Sequence, residues 1–337
     1  MTLRWMISAV CLLVLCGCSS IMAAFDHTAL ELKKDTNLYE ERNQEMVDEN
    51  TLVTEVINMP AFDGFGQFLF PNEASIYGEM TLDNIDVLLP YHSHINTNTT
   101  VEVIHTMLEL SESGETLFYD IYTEAEKEED ISKENTGMFF FQGEEGAPFA
   151  IISAGGGFAY VGSIHESLPH ALKLSENGYN AFVLQYRTGE ADVACEDLAA
   201  AISFVFANAD MLGVSTEGYS LFGEVPRGAR MAAYLGSYGP AAFGGSSLPP
   251  PAAVIMQYTG HSDYTENDPP TYACVGENDG IANWHRMEQR IRTLDRLGID
   301  TEFHHYPNLG HGFGLGIGTA AEGWIDDAIA FWERHME

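Results

Sequence analysis

The sequence predicts an α/β protein, with a mostly parallel sheet flanked by helices and an N-terminal arm or cap before it. From about residue 149 onward, short apolar runs alternate with helical patterns, which is typical of parallel strands joined by crossover helices. The chain has 337 residues, of which 45% are hydrophobic, so it can also bury a sizeable core. The α/β domain is predicted to cover residues 111–337.

Six apolar runs in this part of the chain are expected to form the strands, because each is short and is bounded by polar or glycine-containing segments. These runs are residues 149–153, 180–186, 219–223, 252–258, 271–276 and 301–306.

Capping residues mark the helices between the strands. Asp192 opens one helix, while Asn283 opens another that Gly298 ends. Thr319 and Glu322 have the spacing of a capping box, which predicts the start of the last helix.

Two further apolar runs, residues 116–123 and 136–143, predict a hairpin at the leading edge of the sheet. The acidic run between them, residues 124–134, is interpreted as a solvated, mobile surface loop rather than a cation site. Residues 19–110 are assigned to the arm or cap. Within them, residues 59–78 are rich in Phe and Gly without a clear period, as expected of a segment that packs over another surface.

The charge balance argues against nucleic acid as a partner. The chain has 15 Lys and Arg against 50 Asp and Glu, a formal net charge of -35 at pH 7. Its field would repel phosphate backbones and anionic lipid surfaces.

Residues 1–18 have the pattern of a bacterial lipoprotein signal. Arg4 precedes an apolar stretch at 5–15, and the residues Leu15 to Cys18, "LCGC", resemble a lipobox. Cys18 is therefore the predicted lipid anchor, on an exported protein held to the membrane and facing the periplasm or the exterior. A plain cleavable signal ending near residues 22–24 is the alternative, and it also predicts export.

Cys195 and Cys274 are the cysteines of the folded part. Cys274 lies in an apolar run and Cys195 lies near the start of a helix. Both are expected to be small buried side chains rather than a disulfide pair or a nucleophile.

Three features at successive strand ends point to acyl-transfer chemistry. Gly155, Gly156 and Gly157 follow the first of the six strands, where glycines let backbone N–H groups approach a ligand. Asp279 lies in the turn after a later strand, and His311 lies in a glycine-flanked loop before the last helix. A carboxylate followed by an imidazole at strand ends is the order that a Ser…Asp…His triad requires.

From about residue 55 to its C-terminus, the chain resembles α/β-hydrolase superfamily esterases, in particular exported bacterial hydrolases related to feruloyl and acetyl-xylan esterases. The resemblance rests on "ISAGGGFAYVGSIHES", "AFVLQYR", "VGENDGIANW" and "YPNLGHGFGLG". It implies that Gly156 and Gly157 donate to the oxyanion, that Asp279 is the acid and His311 the general base. It also implies a small-molecule or polysaccharide ester as substrate, with no cofactor. Ala154 departs from the related lipase-type motif, which often has His there.

The nucleophile elbow of this family reads G-x-S-x-G, but the stretch 220–233, "SLFGEVPRGARMAA", has no usable serine. Counting back from Gly228 puts the nucleophile slot at Pro226, which has no hydroxyl and a fixed φ. Ser220 lies inside the strand, and Ser237 lies beyond the first helical turns. Glu224 carries a carboxylate that is able to attack in principle, but its spacing to Gly228 is wrong.

Three interpretations of this stretch stay open. The first is a serine esterase disguised by two small compensating frame errors, because codons for Glu-Val-Pro-Arg-Gly, read from the third base, permit Ser or Gly followed by Ser-Ala-Gly. The second is a pseudoenzyme that binds a ligand without turnover. The third is a purely structural envelope lipoprotein.

Two further groups of residues have alternative interpretations. His92 and His94 would share one face of a strand, which hints at a metal, but no further ligand stands close in sequence, so surface or pocket-lining histidines are favoured. Several aromatic residues and histidines would either wall a substrate pocket or simply pack in the core. They are Phe62, Phe65, Phe68, Phe70, Tyr91, Tyr160, His165 and His261.

Overall fold

The computed structural model describes residues 47–71, 78–157 and 159–336, without the side chains of Pro226 and Arg227. The predicted signal segment and its Cys18 lie outside the described residues. Within the described part, no helix is long and apolar enough to cross a membrane.

The described chain is built on one eight-stranded sheet, as the sequence predicts. The strand order is β1-β2-β4-β3-β5-β6-β7-β8. The pairs β1–β2 and β2–β4 are antiparallel and all other neighbours are parallel. The strands are β1 Phe118–Tyr119, β2 Gly137–Phe141, β3 Pro148–Ser153, β4 Asn180–Gln185, β5 Ser215–Glu224, β6 Ala253–Gln257, β7 Thr271–Gly276 and β8 Thr301–Tyr306.

Helices cover the sheet. The helices are α1 Val53–Ile57, α2 Thr97–Ser113, α3 Glu124–Glu129, α4 Ser167–Glu176, α5 Ala191–Ala207, α6 Ala209–Leu212, α7 Val225–Tyr238, α8 Trp284–Arg296 and α9 Trp324–Glu333. Helices α4 and α9 contact each other, and both contact the sheet. Helices α5 and α7 also contact each other, and α7 contacts the sheet. Strands β4, β6 and β7 are buried along their whole length, which is the burial expected of a parallel sheet covered on both faces. The predicted fold class is thereby confirmed.

Helix α9 begins later than its sequence predicts. Thr319 and Glu322 do not cap it, because Thr319 Oγ1 accepts the Ala321 amide and Glu322 accepts the Gly318 amide at 2.9 Å. The helix starts at Trp324, after Gly323 in the left-handed conformation. The polar pair therefore stabilises the turn before the helix rather than the helix itself.

The acidic run contains a short helix instead of a continuous loop. Thr123 and Glu126 form a capping box around the first turn of α3, and no residue of this helix is buried. The predicted hairpin strands β1 and β2 do pair, on either side of this segment. The surface location predicted for the run is correct, and its capping box explains why it forms a helix.

The segment before β1 packs against the leading edge of the sheet. The rings of Phe65 and Phe68 stack on Phe118 of β1, with centroids 5.2 and 5.5 Å away. Phe62 and Phe70 are buried, so these phenylalanines serve as packing residues. The described residues from 48 onward group into one compact unit, and α2, Thr97–Ser113, spans residue 110.

The thiols of Cys195 and Cys274 are free and buried, as expected. Burial is the main reason that the pKa of Cys195 is raised to about 12. A thiol with this pKa is a poor nucleophile near neutral pH.

A buried ion pair ties β4 to α5. Arg187, which follows β4, donates from its backbone amide to Asp197 at 2.7 Å and from its guanidinium at 2.8 Å. The Asp197 side chain is fully buried and that of Arg187 is 7% exposed. Removing the carboxylate would leave a buried guanidinium without its main partner.

We expect Asp197→Ala to lower the free energy of unfolding by about 3 kcal/mol, because breaking a buried pair costs far more than its net stabilisation. Urea denaturation measures this difference. Asp192→Ala, at an exposed position in the first turn of the same helix, is the matched control and should cost less than about 1 kcal/mol. Equal effects of the two substitutions would contradict the proposed role of the pair.

Candidate active site

Asp279 and His311 form a hydrogen-bonded pair at the carboxyl edge of the sheet. Asp279 lies in the turn after β7, and its Oδ1 accepts the amides of Ile281 and Ala282 at 2.7 and 2.6 Å. Its Oδ2 lies 2.6 Å from Nδ1 of His311, in the loop between β8 and α9. The turn therefore aims the carboxylate at the imidazole and fixes the orientation of the ring.

The second nitrogen of His311 is available for chemistry. Nε2 is buried and makes no hydrogen bond within the described part of the chain. The His311 ring packs on that of Tyr258, with centroids 5.0 Å apart, and Ser93 Oγ donates to the His311 carbonyl. A ring held at Nδ1 with a free Nε2 is the arrangement in which an imidazole accepts a proton from a nucleophile.

The glycine loop after β3 presents backbone N–H groups. Gly156 and Gly157 have φ of 131° and 67°, a region that favours glycine. A Cβ on Gly156 would lie 2.1 Å from the Tyr160 carbonyl oxygen. Among the described residues, the amides of Gly156 and Gly157 have no acceptor. The Gly155 amide, in contrast, is engaged by Glu166 at 2.7 Å.

The turn between β5 and α7 has the geometry of a nucleophile elbow, and its left-handed residue is Val225. Its φ is 59°, whereas Pro226 belongs to the first turn of α7. A β-branched residue is a clear outlier in this conformation. The slot at Pro226 stays a prediction, and the residue that the turn holds in the left-handed conformation is the preceding one, Val225.

The two glycines that flank the turn allow close packing. A Cβ on Gly223 would lie 2.4 Å from Cα of Ala229, and one on Gly228 would lie 2.3 Å from the Ser153 carbonyl oxygen. Val225 is 2% exposed and lies against Gly155, where a Cβ would come within 1.9 Å of its side chain. The valine thus fills the elbow next to the glycine loop.

Two groups that a serine hydrolase uses are absent from this turn. Val225 has no hydroxyl, and Pro226 has no N–H to donate to an oxyanion. In the strand, Ser220 Oγ donates to the Ala253 carbonyl, and on α7, Ser237 Oγ donates to Asp268, so neither supplies a hydroxyl at the turn.

Glu224 is placed inside the molecule rather than at the elbow. Its side chain is buried and contacts Nδ1 of His170 and the Ser167 hydroxyl. Burial, followed by the nearby charge of Glu166, raises the pKa of the Glu224 carboxyl well above its usual value. A fully buried carboxyl that is already engaged by His170 and Ser167 is unsuited to nucleophilic attack, which argues against Glu224 as the nucleophile.

His92 and His94 do not face one another. The His92 side chain is fully buried, with Nε2 2.9 Å from Glu166, whereas His94 is exposed and lines an open groove. Within the described ranges, no three His, Cys, Asp or Glu side chains group as metal ligands. Tyr91 is 44% exposed and stacks on Tyr160 beside the glycine loop, so it borders the site.

Three residues of the site were not predicted from the sequence. Val225 has the left-handed backbone conformation of the turn, which a residue type alone does not reveal. Glu166 lies in the quoted "SIHES" segment and Tyr258 ends a predicted strand, yet their contact spans 92 positions. Their contact is predictable only when the order of the strands in the sheet is known.

Solved structures with the same architecture identify the fold. The α/β hydrolase MGS-M1 from a Medee basin deep-sea metagenome library matches with a TM-score of 0.54 at 19% identity, over 65% of this chain and 96% of its own. The acetyl ester-xyloside bifunctional hydrolase of Caldicellulosiruptor lactoaceticus matches with a TM-score of 0.57 at 18% identity, over 64% and 95%. The carboxylesterase Cest-2923 of Lactobacillus plantarum WCFS1 matches with a TM-score of 0.51 at 18% identity, over 59% and 92%.

The chain therefore has the α/β-hydrolase fold, as the resemblance of its motifs implies. No protein-family model and no curated protein matches it.

A buried histidine at this edge makes stability depend on pH. His165 donates from Nε2 to the Gly312 carbonyl at 3.0 Å. Burial, and then the nearby His92, lowers the pKa of His165 from 6.5 to about 4. Between these pH values the unfolded chain binds a proton at this residue and the folded chain does not. Stability is therefore present above pH 6.5 and is lost as the pH falls toward 4.

We expect His165→Gln, which keeps a donor toward Gly312, to reduce this pH dependence. The free energy of unfolding should fall less steeply from pH 6.5 to 4.5, by up to about 1.4 kcal/mol per pH unit. Denaturation at several pH values measures the slope. His285→Gln, at an exposed position, should leave it unchanged, and an unchanged slope in His165→Gln would refute the assignment.

Proposed function

We propose that this protein is an exported carboxylic ester hydrolase of the serine type, whose elbow is disrupted over residues 224–228 in the present sequence. The observation that carries the proposal is the Asp279–His311 pair with its buried, unpartnered Nε2. An imidazole nitrogen held in this way accepts the proton of an attacking hydroxyl and later donates it to the leaving group. The glycine loop and the elbow turn at the same sheet edge support the same chemistry.

In the intact form, a serine at the elbow attacks the ester carbonyl while its proton passes to Nε2 of His311. Asp279 holds the ring and stabilises the imidazolium that forms. The amides of Gly156, Gly157 and the residue after the serine stabilise the oxyanion. His311 then protonates the leaving alcohol, and a water that it deprotonates releases the acid from the acyl-serine.

The substrate class follows from resemblance and from one neighbour. We propose a small-molecule or polysaccharide ester, with acetylated or feruloylated carbohydrate as the first choice. One structural neighbour bears the name acetyl ester-xyloside bifunctional hydrolase, which supports testing acetylated xylosides. The proposed chemistry needs no cofactor.

A local frame error would account for the disruption. Gly223, Gly228 and the residues around them still fit the elbow, while Val225 and Pro226 do not. Sequencing the DNA across codons 223 to 229 tests this hypothesis. Codons whose shifted frame contains no serine would end it.

The second candidate is a pseudoenzyme that binds an ester or a sugar without turnover. It is favoured by the loss of both the hydroxyl at residue 225 and the N–H at residue 226. Binding of an ester or a sugar, without fluorophosphonate labelling and without turnover of p-nitrophenyl acetate, would identify this chain as a pseudoenzyme.

We also propose that Cys18 is lipidated and anchors the protein to the bacterial membrane, facing the periplasm or the exterior. Expression of the full chain with a labelled fatty acid tests this proposal. Label in the protein that disappears in Cys18→Ser supports the anchor, and unlabelled secreted protein supports a plain signal peptide.

We expect Val225→Ser combined with Pro226→Ala to create esterase activity, because the pair restores a hydroxyl and an amide donor. Val225→Ser alone should be slower by about 10²–10³-fold, the usual cost of one oxyanion donor. Turnover of p-nitrophenyl acetate and fluorophosphonate labelling measure both variants.

Two controls accompany this test. Val225→Ala with Pro226→Ala lacks the hydroxyl and should be inactive, and adding His311→Ala to the serine variant should abolish its turnover. A folded double variant that shows neither labelling nor turnover would contradict the proposed esterase.

A further inference from the structure

Glu166 is a buried carboxylate next to the site that the mechanism above does not use. It lies at the N-terminus of α4 and is fully buried. Its Oε2 accepts the Gly155 amide at 2.7 Å, and its Oε1 accepts the Tyr258 hydroxyl at 2.7 Å. Nε2 of His92 lies 2.9 Å from Oε1. Both carboxylate oxygens are thus engaged.

Each of these partners belongs to a different part of the site. Gly155 begins the glycine loop, and its neighbours Gly156 and Gly157 carry the free amides. Tyr258 directly follows β6 and has a φ of 33°, and its ring packs on that of His311. One carboxylate therefore connects the oxyanion loop to the residue that packs against the general base.

His92 extends this connection to the loop that carries the general base. Its Nδ1 lies 3.0 Å from the Tyr160 hydroxyl, which follows the glycine loop. The next residue, Ser93, donates its amide to the Gly312 carbonyl at 2.8 Å. A displacement of His92 would thus be transmitted to the residues beside His311.

Glu166 holds the negative charge of this cluster. Burial alone would raise the pKa of Glu166, but His92 and the donated hydrogen bonds lower it well below its usual value. The second buried carboxyl, Glu224, has a raised pKa, for which burial and then the charge on Glu166 are responsible. His165 and His170 are buried nearby with pKa values lowered to about 4, mainly by burial. Glu166 is therefore the charged acceptor for the Gly155 amide and the Tyr258 hydroxyl, with His92 beside it.

We propose that Glu166 is a positioning residue, whose carboxylate holds the Gly155 amide and the Tyr258 hydroxyl and thereby sets the oxyanion loop against the general base. Its catalytic consequence rests on the proposed esterase function, whereas its hold on the glycine loop does not. A buried charge of this kind is weak evidence for stability, since well-packed apolar residues often replace such groups without loss. Geometry at the site is the property that this carboxylate supplies.

Glu166→Gln is the sharpest substitution, because glutamine has nearly the same shape and only one acceptor oxygen. The Gly155 amide and the Tyr258 hydroxyl then have a single acceptor oxygen between them. The donor that does not bind this oxygen faces the glutamine NH2 group and has no acceptor there. Glu176→Gln, at the exposed end of the same helix, is the matched control, because its carboxylate pairs only with Lys173 among the described contacts.

The first measurement uses the chain with Val225 and needs no activity. Hydrogen exchange of the Gly155 amide is followed by mass spectrometry of short peptides over residues 151–157. We expect exchange to be about tenfold faster or more in Glu166→Gln, because the amide loses a charged acceptor, and unchanged in Glu176→Gln. Equal exchange in both variants would overturn the proposal.

The second measurement uses the Val225→Ser, Pro226→Ala variant. Titration with a fluorophosphonate counts the competent sites, and kcat is expressed per titrated site. A purely structural role would lower the number of sites without changing kcat per site or KM. We expect Glu166→Gln to lower kcat per site by about 10- to 100-fold with KM nearly unchanged, as small misplacements of reacting groups do.

Tyr258→Phe separates the two connections of Glu166, because it removes only the hydroxyl. It should lower kcat per site without changing exchange at Gly155. If the serine variant has no activity, the esterase proposal fails while the exchange measurement still decides whether Glu166 holds the loop. If the serine variant is active and Glu166→Gln leaves kcat per site unchanged, the positioning role is refuted.

Discussion

The close approach of helix α7 to strands β3 and β5 is the constraint on which the site depends. Gly223 and Gly228 have no room for a side chain, so the chain must turn within the few residues between them. The turn places one residue in the left-handed region, and in this chain that residue is Val225, with a φ of 59°. Such strain at a bulky residue costs on the order of 1–3 kcal/mol, and it persists only when the surrounding structure imposes it.

The other parts of the site do not depend on what fills this turn. Asp279 is held by two amides of its own turn and holds His311 in its place. The glycine loop is shaped by Tyr160 and by Glu166, which are remote from α7 in sequence. The site is thus assembled from strand ends that are each supported by their own contacts.

Much of this arrangement was predictable, and what was not has a physical reason. The spacing of apolar residues and the capping residues predict the positions of strands and helices. The positions of Asp279 and His311 after predicted strands predict that both lie at one edge of the sheet. Counting back from Gly228 points to Pro226, whereas the left-handed residue of the turn is Val225, because a spacing pattern contains no information on backbone φ. The capping box predicted for Thr319 and Glu322 is wrong, because the same two side chains stabilise the turn before the helix. The contacts of Glu166 depend on which strands are neighbours, and a single sequence does not contain that information.

The proposed disruption of the elbow involves two adjacent residues. Val225 has no hydroxyl and Pro226 has no N–H, so each lacks one group that the proposed esterase mechanism needs. Beyond them, the close-packed glycines, the buried Nε2 of His311 and the buried Glu166 form the arrangement that the proposed mechanism needs. A buried unpartnered imidazole nitrogen and a buried carboxylate are costly to keep. Their presence beside these two residues is what the proposed local frame error predicts.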